Sequence, residues 1–335
     1  MFYFKRIHYL WAMDWKSRIF RNHNTADFLS LALAIFRFQA ENNPVYREYI
    51  KHLNIDIQEV DSLEKIPFIP IQLFKSHTVQ CEPCNAQATY SSSGTGGQTS
   101  KHIVHDLSIY QESFLKGFEH FYGNISDYTI LALLPSYLER SGSSLIYMCE
   151  ELIKRSRKAE SGFYLNEHQA LFDILQKLES QNRKTLLIGV SFGLLDFVET
   201  FPIPLKNTIV METGGMKGRR KELLREELHQ ILREGFQIEN IHSEYGMTEL
   251  LSQAYSSENG VFKCPPWMKI MLRDTNDPLS FNNKSGGLNV IDLANVYSCS
   301  FIATQDLARM HSKASFEVIG RFDYSDVRGC NLMVL

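Results

Sequence analysis

Tyr128-Thr-Ile-Leu-Ala-Leu-Leu134, Thr185-Leu-Leu-Ile188, Thr208-Ile-Val-Met211 and Ile238-Glu-Asn-Ile-His242 are short apolar runs of strand length. Helical spacing fills the gaps at Gly142–Lys158, Glu167–Gln181 and Lys217–Glu234. Strands alternating with helices of ten or more residues predict an α/β fold with a mostly parallel, wound sheet. Upstream, the pattern is helical and amphipathic. Asn24-Thr25-Ala26-Asp27 offers a cap before the apolar run Phe28–Phe38, and Pro44 opens a second helix that reaches Leu53. Pro67 and Pro70 then force extended chain. Downstream, Phe262–Leu272, Gly287–Leu293 and Ser298–Thr304 are short strand patterns separated by Asn, Asp and Gly turns, so this end is strand-rich. Three parts follow within one large domain: a helical 1–75, an α/β core over 76–260, and a strand-rich 261–335 ending in a tail.

Composition sets the outer limits. Of 335 residues 44% are hydrophobic and 22% charged, enough to bury a large core without metals or disulfides. Thirty-five Lys and Arg against 38 Asp and Glu leave a net charge of −3, which gives no reason to expect nucleic acid as partner. The apolar stretches are too short or too interrupted for a membrane span, and the first twenty residues interleave charges with aromatics, unlike a targeting segment. Six cysteines are sparse for this length. The expectation is a reduced, cytoplasmic protein.

Chemistry concentrates in four places. Tyr90-Ser-Ser-Ser-Gly-Thr-Gly-Gly-Gln-Thr-Ser-Lys101 combines glycines, which let backbone N–H groups approach closely, with hydroxyls that add donors. Such a loop can wrap an anion, although it lacks the G-x-x-x-x-G-K-[ST] spacing of a nucleotide P-loop. Ser243-Glu-Tyr-Gly-Met-Thr-Glu249 follows a predicted strand, where side chains reach the crevice in which α/β sheets bind ligands. There Tyr245 offers a face for a purine, Thr248 a hydroxyl for phosphate and Glu249 a hard oxygen for Mg²⁺. In Thr304-Gln-Asp-Leu-Ala-Arg309, Asp306 can accept from ribose hydroxyls. In Gly320-Arg-Phe-Asp-Tyr-Ser-Asp-Val-Arg-Gly-Cys330, Arg321 can reach the same sugar or a phosphate.

Taken in order, S-S-G-T-G-G, T-G-G at Thr213–Gly215, Y-G-M-T-E, T-Q-D and G-R-F-D resemble the acyl-adenylate-forming superfamily. That group includes acyl-CoA synthetases, phenylacetate-CoA ligases, adenylation domains and luciferases. The likeness runs from about Tyr90 to the C-terminus. Leu134–Leu145 (L-P-S-Y-L-E-R-S-G-S-S-L) and the terminal cysteine are most similar to LuxE-type acyl-protein synthetases, and the ending R-G-C-N is similar to phenylacetate-CoA ligases.

The resemblance implies the large N-terminal domain of the acetyl-CoA synthetase-like fold, with 76–260 as its nucleotide-binding core. It implies that Ser92, Ser93, Gly94, Thr95, Gly96 and Gly97 grip phosphate and that Gly214 and Gly215 line the adenine pocket. Tyr245 would stack on adenine, Thr248 contact phosphate, Glu249 ligate Mg²⁺, and Asp306 and Arg321 hold ribose. Asp323 falls at the family's hinge, and Cys330 matches the cysteine that LuxE-type enzymes acylate. ATP and Mg²⁺ are then the cofactors and a fatty or other carboxylic acid the substrate, with an acyl reductase or an acyl-carrier protein as partner. Two alternatives stand beside this: a ligase delivering to coenzyme A or a carrier protein in trans, and a relative that binds without turnover.

Departures are specific. Gly96 replaces the loop's usual second threonine, and the lysine that commonly ends the loop is displaced by one position, leaving Lys101 without an assigned role. The chain stops at Leu335, where relatives continue into a small lysine-bearing C-terminal domain, so that domain is expected to be absent. Two competing patterns are also present. Gly189-Val-Ser-Phe-Gly193 satisfies G-x-S-x-G, with Asp306 and His311 following in the order of a hydrolase triad. Cys81-Glu-Pro-Cys84, with His77, His102 and His105 nearby, is half of a zinc pattern.

Overall fold

The computed structural model describes residues 13–21, 24–92, 99–134, 142–214, 223–282, 284–312 and 314–322. The helical start is α1 (Trp15–Ile19), α2 (Thr25–Asn42) and α3 (Pro44–His52). Asn24 caps α2 by accepting from Asp27 N at 2.9 Å, and Asn43 caps α3 with Pro44 in its first turn. Strand β1 (Ile69–Pro70), helix α4 (Leu73–Ser76) and the hairpin β2 (Ala88–Ser91) and β3 (Lys101–Val104) lead to α5 (Leu107–Tyr122). Then come β4 (Thr129–Leu133), α6 (Ser144–Ser156), β5 (Gly162–Tyr164), α7 (His168–Ser180), β6 (Thr185–Val190), α8 (Ser191–Thr200), β7 (Thr208–Thr213), α9 (Arg225–Phe236) and β8 (His242–Tyr245). The rest is β9 (Ala254–Ser256), β10 (Val261–Lys263), β11 (Met268–Arg273), β12 (Ser285–Asp292), β13 (Phe301–Ser312) and β14 (Ser315–Arg321).

Among the described residues one sheet runs β11-β12-β13-β14-β10-β9-β8-β7-β6-β4-β5, with β1 pairing alongside β13. From β5 to β8 the pairing is parallel, with helices in the crossovers; from β8 onward to β11 it is antiparallel. Every residue of β4 and of β6 is buried, as expected of strands covered on both faces. The change from parallel to antiparallel happens at β8, and that is where the candidate site lies.

The strand expected over Ile238–His242 begins four residues later and continues to Tyr245. Gln237 takes a left-handed φ of 51° at the end of α9, so the chain is still turning where a strand is expected. The run Phe262–Leu272 is likewise two strands, interrupted at Cys264-Pro265-Pro266, where prolines supply no N–H to a ladder. Helix α5 has no counterpart in the sequence reading, although Asp106 caps it by accepting from Ser108 N at 2.9 Å.

The helical start is bound to the strand-rich end through aromatics. Phe301, fully buried, meets the edge of Phe36 and of Phe68 and stacks on Tyr46 at 6.3 Å. Phe301→Ala is expected to cost about 3–5 kcal/mol, because three rings lose their common neighbour and the void cannot collapse between them. Urea unfolding should show a markedly lower midpoint for Phe301→Ala and a much smaller shift for Phe301→Leu. Equal midpoints for Phe301→Ala and wild type would exclude this cluster as the joint.

Candidate functional site

The glycine- and serine-rich loop stands on the hairpin β2–β3, whose last paired residues are Ser91 and Lys101. Its feet are sewn together: Ser92 N donates to Ser100 O at 3.1 Å, and Ser100 N donates to Ser92 Oγ at 2.9 Å. Ser91 N reaches Gly142 O at 2.8 Å. Gly142 has φ +86°, and a Cβ there would stand 3.1 Å from Thr89 O, so this contact requires glycine. Ser93, Gly94, Thr95, Gly96 and Gly97 lie outside the described residues, as do Gly215, Asp323 and Cys330.

Around that foot the distant motifs meet. Tyr245 ends β8 with its ring buried, edge-on to Phe316 and tilted against Phe262. Its hydroxyl donates to Asp306 Oδ2 at 2.7 Å. Asp306 and Arg321 are cross-strand partners on β13 and β14, with Arg321 Nε 3.2 Å from Asp306 Oδ1. Arg321 keeps 73% of its side chain exposed, so this ion pair is screened and the guanidinium remains open to a second anion. Burial raises the Asp306 acid, while the Tyr245 hydrogen bond and the charges of Arg321, Arg225 and Arg273 oppose the rise.

Glu249 is buried, and burial raises its acid as well; the Ser100 hydroxyl, Lys75 and Arg321 pull it back toward the ionised form. Ser100 Oγ lies beside the carboxyl without a hydrogen bond of ordinary geometry. Thr248 is half-buried, and its carbonyl accepts from His102. Gly214, with φ +67°, follows β7 one residue past the Thr213↔Glu244 pair, which sets it beside Tyr245. The structure therefore brings Ser92, Gly214, Tyr245, Thr248, Glu249, Asp306 and Arg321 to the same end of the sheet. Lys101 is exposed at the start of β3.

A buried acidic group at the ends of β7 and β8 is absent from the sequence reading. Glu212 accepts from Ser191 Oγ at 3.2 Å, with Arg225 Nε at 3.8 Å and His229 Nε2 at 3.7 Å. Glu244 accepts from Thr213 Oγ1, and burial, reinforced by the charge of Glu212, pushes its carboxyl up to about 7. Two acidic residues closing neighbouring parallel strands are the signal that could have found them.

The hydrolase pattern does not assemble. Ser191 is the first residue of α8 and bonds Glu212 and Gly214 O, His311 pairs with Glu317, and Asp306 serves Tyr245 and Arg321. Cys81 is buried against the carbonyls of Val296 and Ser298, with its thiol pushed up by burial. Among the described residues no three His, Cys, Asp or Glu side chains converge to hold a metal. Nor is any described helix long and apolar enough to cross a membrane.

No protein-family model matches the chain. No curated protein matches it in sequence. Solved structures do share its fold. A 2-hydroxyisobutyryl-CoA ligase in complex with 2-HIB-AMP and CoA is similar with a TM-score of 0.66 at 10% identity, over 89% of this chain and 70% of that one. The same ligase in the thioesterification state gives 0.67 at 12% identity, over 90% and 70%. An ATP-bound RpMatB-BxBclM chimera gives 0.54 at 15%, over 70% of this chain and 48% of the chimera. At such identities the likeness is one of fold, and the chain spans 48% to 70% of the length of these proteins. The architecture is that of the large domain of acyl-adenylate-forming enzymes.

Glu244 gives a pH signature. Its acid is raised in the folded state, so the native chain binds a proton that the unfolded chain releases near the ordinary glutamate value of 4.5. The stability tied to that proton is present below pH 4.5 and lost as pH rises to about 7. Glu244→Gln, which keeps a group for Thr213 but cannot ionise, should lose less stability than wild type over this interval. Parallel denaturation curves from pH 5 to 8 for the two proteins would show that Glu244 ionises freely.

Proposed function

We propose that this protein activates a carboxylic acid with ATP, forming an acyl-adenylate, and passes the acyl group to a thiol. The supporting observation is the meeting of Tyr245, Asp306, Arg321 and Glu249 beside the foot of the glycine- and serine-rich loop. The four come from three separate motifs, and the fold is the one in which structures bound to ATP and to an acyl-AMP are found.

The chemistry assigns each group a task. A substrate carboxylate oxygen attacks the α-phosphorus of ATP, the bond to the β-phosphate oxygen breaks, and pyrophosphate leaves with that electron pair. Arg321, exposed and cationic, faces the charge that develops, and the loop over Ser92–Gly97 with the Thr248 hydroxyl supplies donors to the phosphate oxygens. Asp306 receives the ribose hydroxyls. Glu249 would hold a Mg²⁺ ion, since such an ion takes only one or two protein carboxylates and Lys75 and Arg321 draw this acid toward the ionised form a hard cation needs. When bound, the ion neutralises phosphate charge. A thiolate then attacks the acyl carbonyl, and AMP departs.

For the acceptor, the resemblance to LuxE-type acyl-protein synthetases favours Cys330 of this chain, with a fatty acid as substrate and an acyl reductase or carrier protein downstream. The neighbouring ligases bind CoA, which favours the second reading, a thiol acting in trans.

Glu249→Gln should abolish ATP–pyrophosphate exchange across a panel of carboxylic acids while leaving the unfolding midpoint close to wild type, because an amide is a poor ligand for a hard cation. Exchange at the wild-type rate in this variant would remove Glu249 from the mechanism, and no exchange in wild type with any acid would reject adenylation.

Cys330→Ser is expected to keep that exchange but to lose the hydroxylamine-sensitive acyl label that wild type acquires from ATP and a fatty acid, read by intact mass. A label that persists in the variant, or wild type that never acquires one, would give the acceptor role to a thiol in trans.

A further inference from the structure

Thr248 and Glu249 sit in a stretch with no regular secondary structure between β8 and β9, yet Glu249, Leu250, Leu251 and Ser252 are buried. Buried main chain outside helices and strands needs side-chain partners, and here they come residue by residue. His102 Nδ1 lies 2.8 Å from the carbonyl of Thr248; a carbonyl only accepts, so the imidazole carries its proton on Nδ1. Asn295 Nδ2 donates to the carbonyl of Glu249 at 2.7 Å. Both side chains are fully buried. His102 stands on β3, two residues past Ser100 at the loop foot, and Phe74 packs edge-on against its ring. Asn295 is fixed from behind, since Gln39 Nε2 donates to its carbonyl at 3.0 Å and to that of Val296 at 2.9 Å.

Each of these two side chains also buries an acceptor that, among the described residues, makes no hydrogen bond of ordinary geometry, Nε2 of His102 and Oδ1 of Asn295, although the two side chains lie close enough to act on each other. A buried acceptor without a well-formed hydrogen bond is unfavourable, so neither residue is the choice that stability alone would make. What each gains is a fixed position for one carbonyl next to Glu249. We infer that His102 and Asn295 are positioning residues: His102 ties the main chain of Thr248 to the hairpin β2–β3 and Asn295 ties that of Glu249 to the turn after β12, so that the carboxylate is held in place beside the foot of the loop. The inference rests on the adenylation reading for its consequence in turnover, but not for the clamp itself.

Two variants test it on the full chain. His102→Leu removes the donor to Thr248, and His102→Asn keeps an N–H at about the position of Nδ1. In His102→Leu, amide hydrogen exchange over Thr248–Ser252 should accelerate roughly tenfold or more while amides of β4 and β6 stay protected, the expected size for one lost hydrogen bond to buried backbone. The kcat of ATP–pyrophosphate exchange should fall roughly ten- to a hundredfold with the KM for the carboxylic acid little changed, and His102→Asn should restore both readouts to within a few-fold of wild type. Unchanged local amide exchange in His102→Leu, or wild-type kcat despite a loosened segment, would overturn the proposal. If His102→Leu does not fold, Asn295→Ala carries the same two readouts through Glu249. Should wild type show no pyrophosphate exchange at all, the adenylation reading falls, and the amide exchange still decides the clamp.

Discussion

The carboxylate of Asp292 is out of contact with water and accepts from Leu251 N at 2.8 Å, Ser252 N at 3.0 Å, Ser252 Oγ at 2.6 Å and Ala294 N at 3.1 Å. Burial raises its acid, and these four donors resist that rise. Much of the molecule follows from this group. Asp292 ends β12, in the antiparallel half of the sheet, while Leu251 and Ser252 follow the last parallel strand. One carboxylate thus ties the two halves together where the sheet changes sense. Ser252 also shares a hydrogen bond with Ser113 of α5, which in turn accepts from the indole of Trp267. The irregular segment carrying Thr248 and Glu249 is consequently fixed from below by Asp292 and from the sides by His102 and Asn295.

A second constraint is electrostatic. The chain places four carboxylates, those of Glu212, Glu244, Glu249 and Asp306, at the end of the sheet where β7 and β8 stop. Burial alone would leave several of them protonated. The structure answers them unequally. Asp306 and Glu249 lie within reach of Arg321, and Glu212 has Arg225 and His229 beside it. Among the described residues Glu244 has the hydroxyl of Thr213 as its hydrogen-bond donor and the repulsion of Glu212 against it. Its acid is raised to about 7. His242 and His102 go the other way: burial holds each down to about 4, so both are neutral where Glu244 titrates. The acid-side instability of those histidines, present as pH falls from 6.5 toward 4, opposes the contribution of Glu244.

Much of this arrangement can be read in the sequence, and the parts that cannot have physical reasons. The parallel strands β4, β6 and β7 are apolar runs because both faces are covered, so composition alone marks them. The helices α2 and α3 carry asparagine caps and a first-turn proline that act locally. Motif residues such as Tyr245, Asp306 and Arg321 are recognisable by order along the chain, but their contact depends on the β13–β14 register, which no local pattern encodes. His102 and Asn295 are hidden for a different reason. They work through main-chain carbonyls, and nothing in the sequence says which carbonyls a fold will bury away from its ladders. The start of β8 is not legible because Gln237, a residue without glycine's freedom, takes the left-handed turn that ends α9.

The Tyr245–Asp306 hydrogen bond bears on what the site can accept. Asp306 spends Oδ2 on the tyrosine and Oδ1 on Arg321. An ionised carboxylate offers about four lone-pair sites, so roughly two remain for a pair of ribose hydroxyls without displacing either partner. Tyr245 has both Phe262 and Phe316 against it, which fixes the plane of its ring before any base arrives. Ring and carboxylate are therefore set relative to each other by one hydrogen bond and two aromatic contacts. A nucleoside would meet a surface already ordered, and the entropy of arranging it belongs to folding rather than to binding.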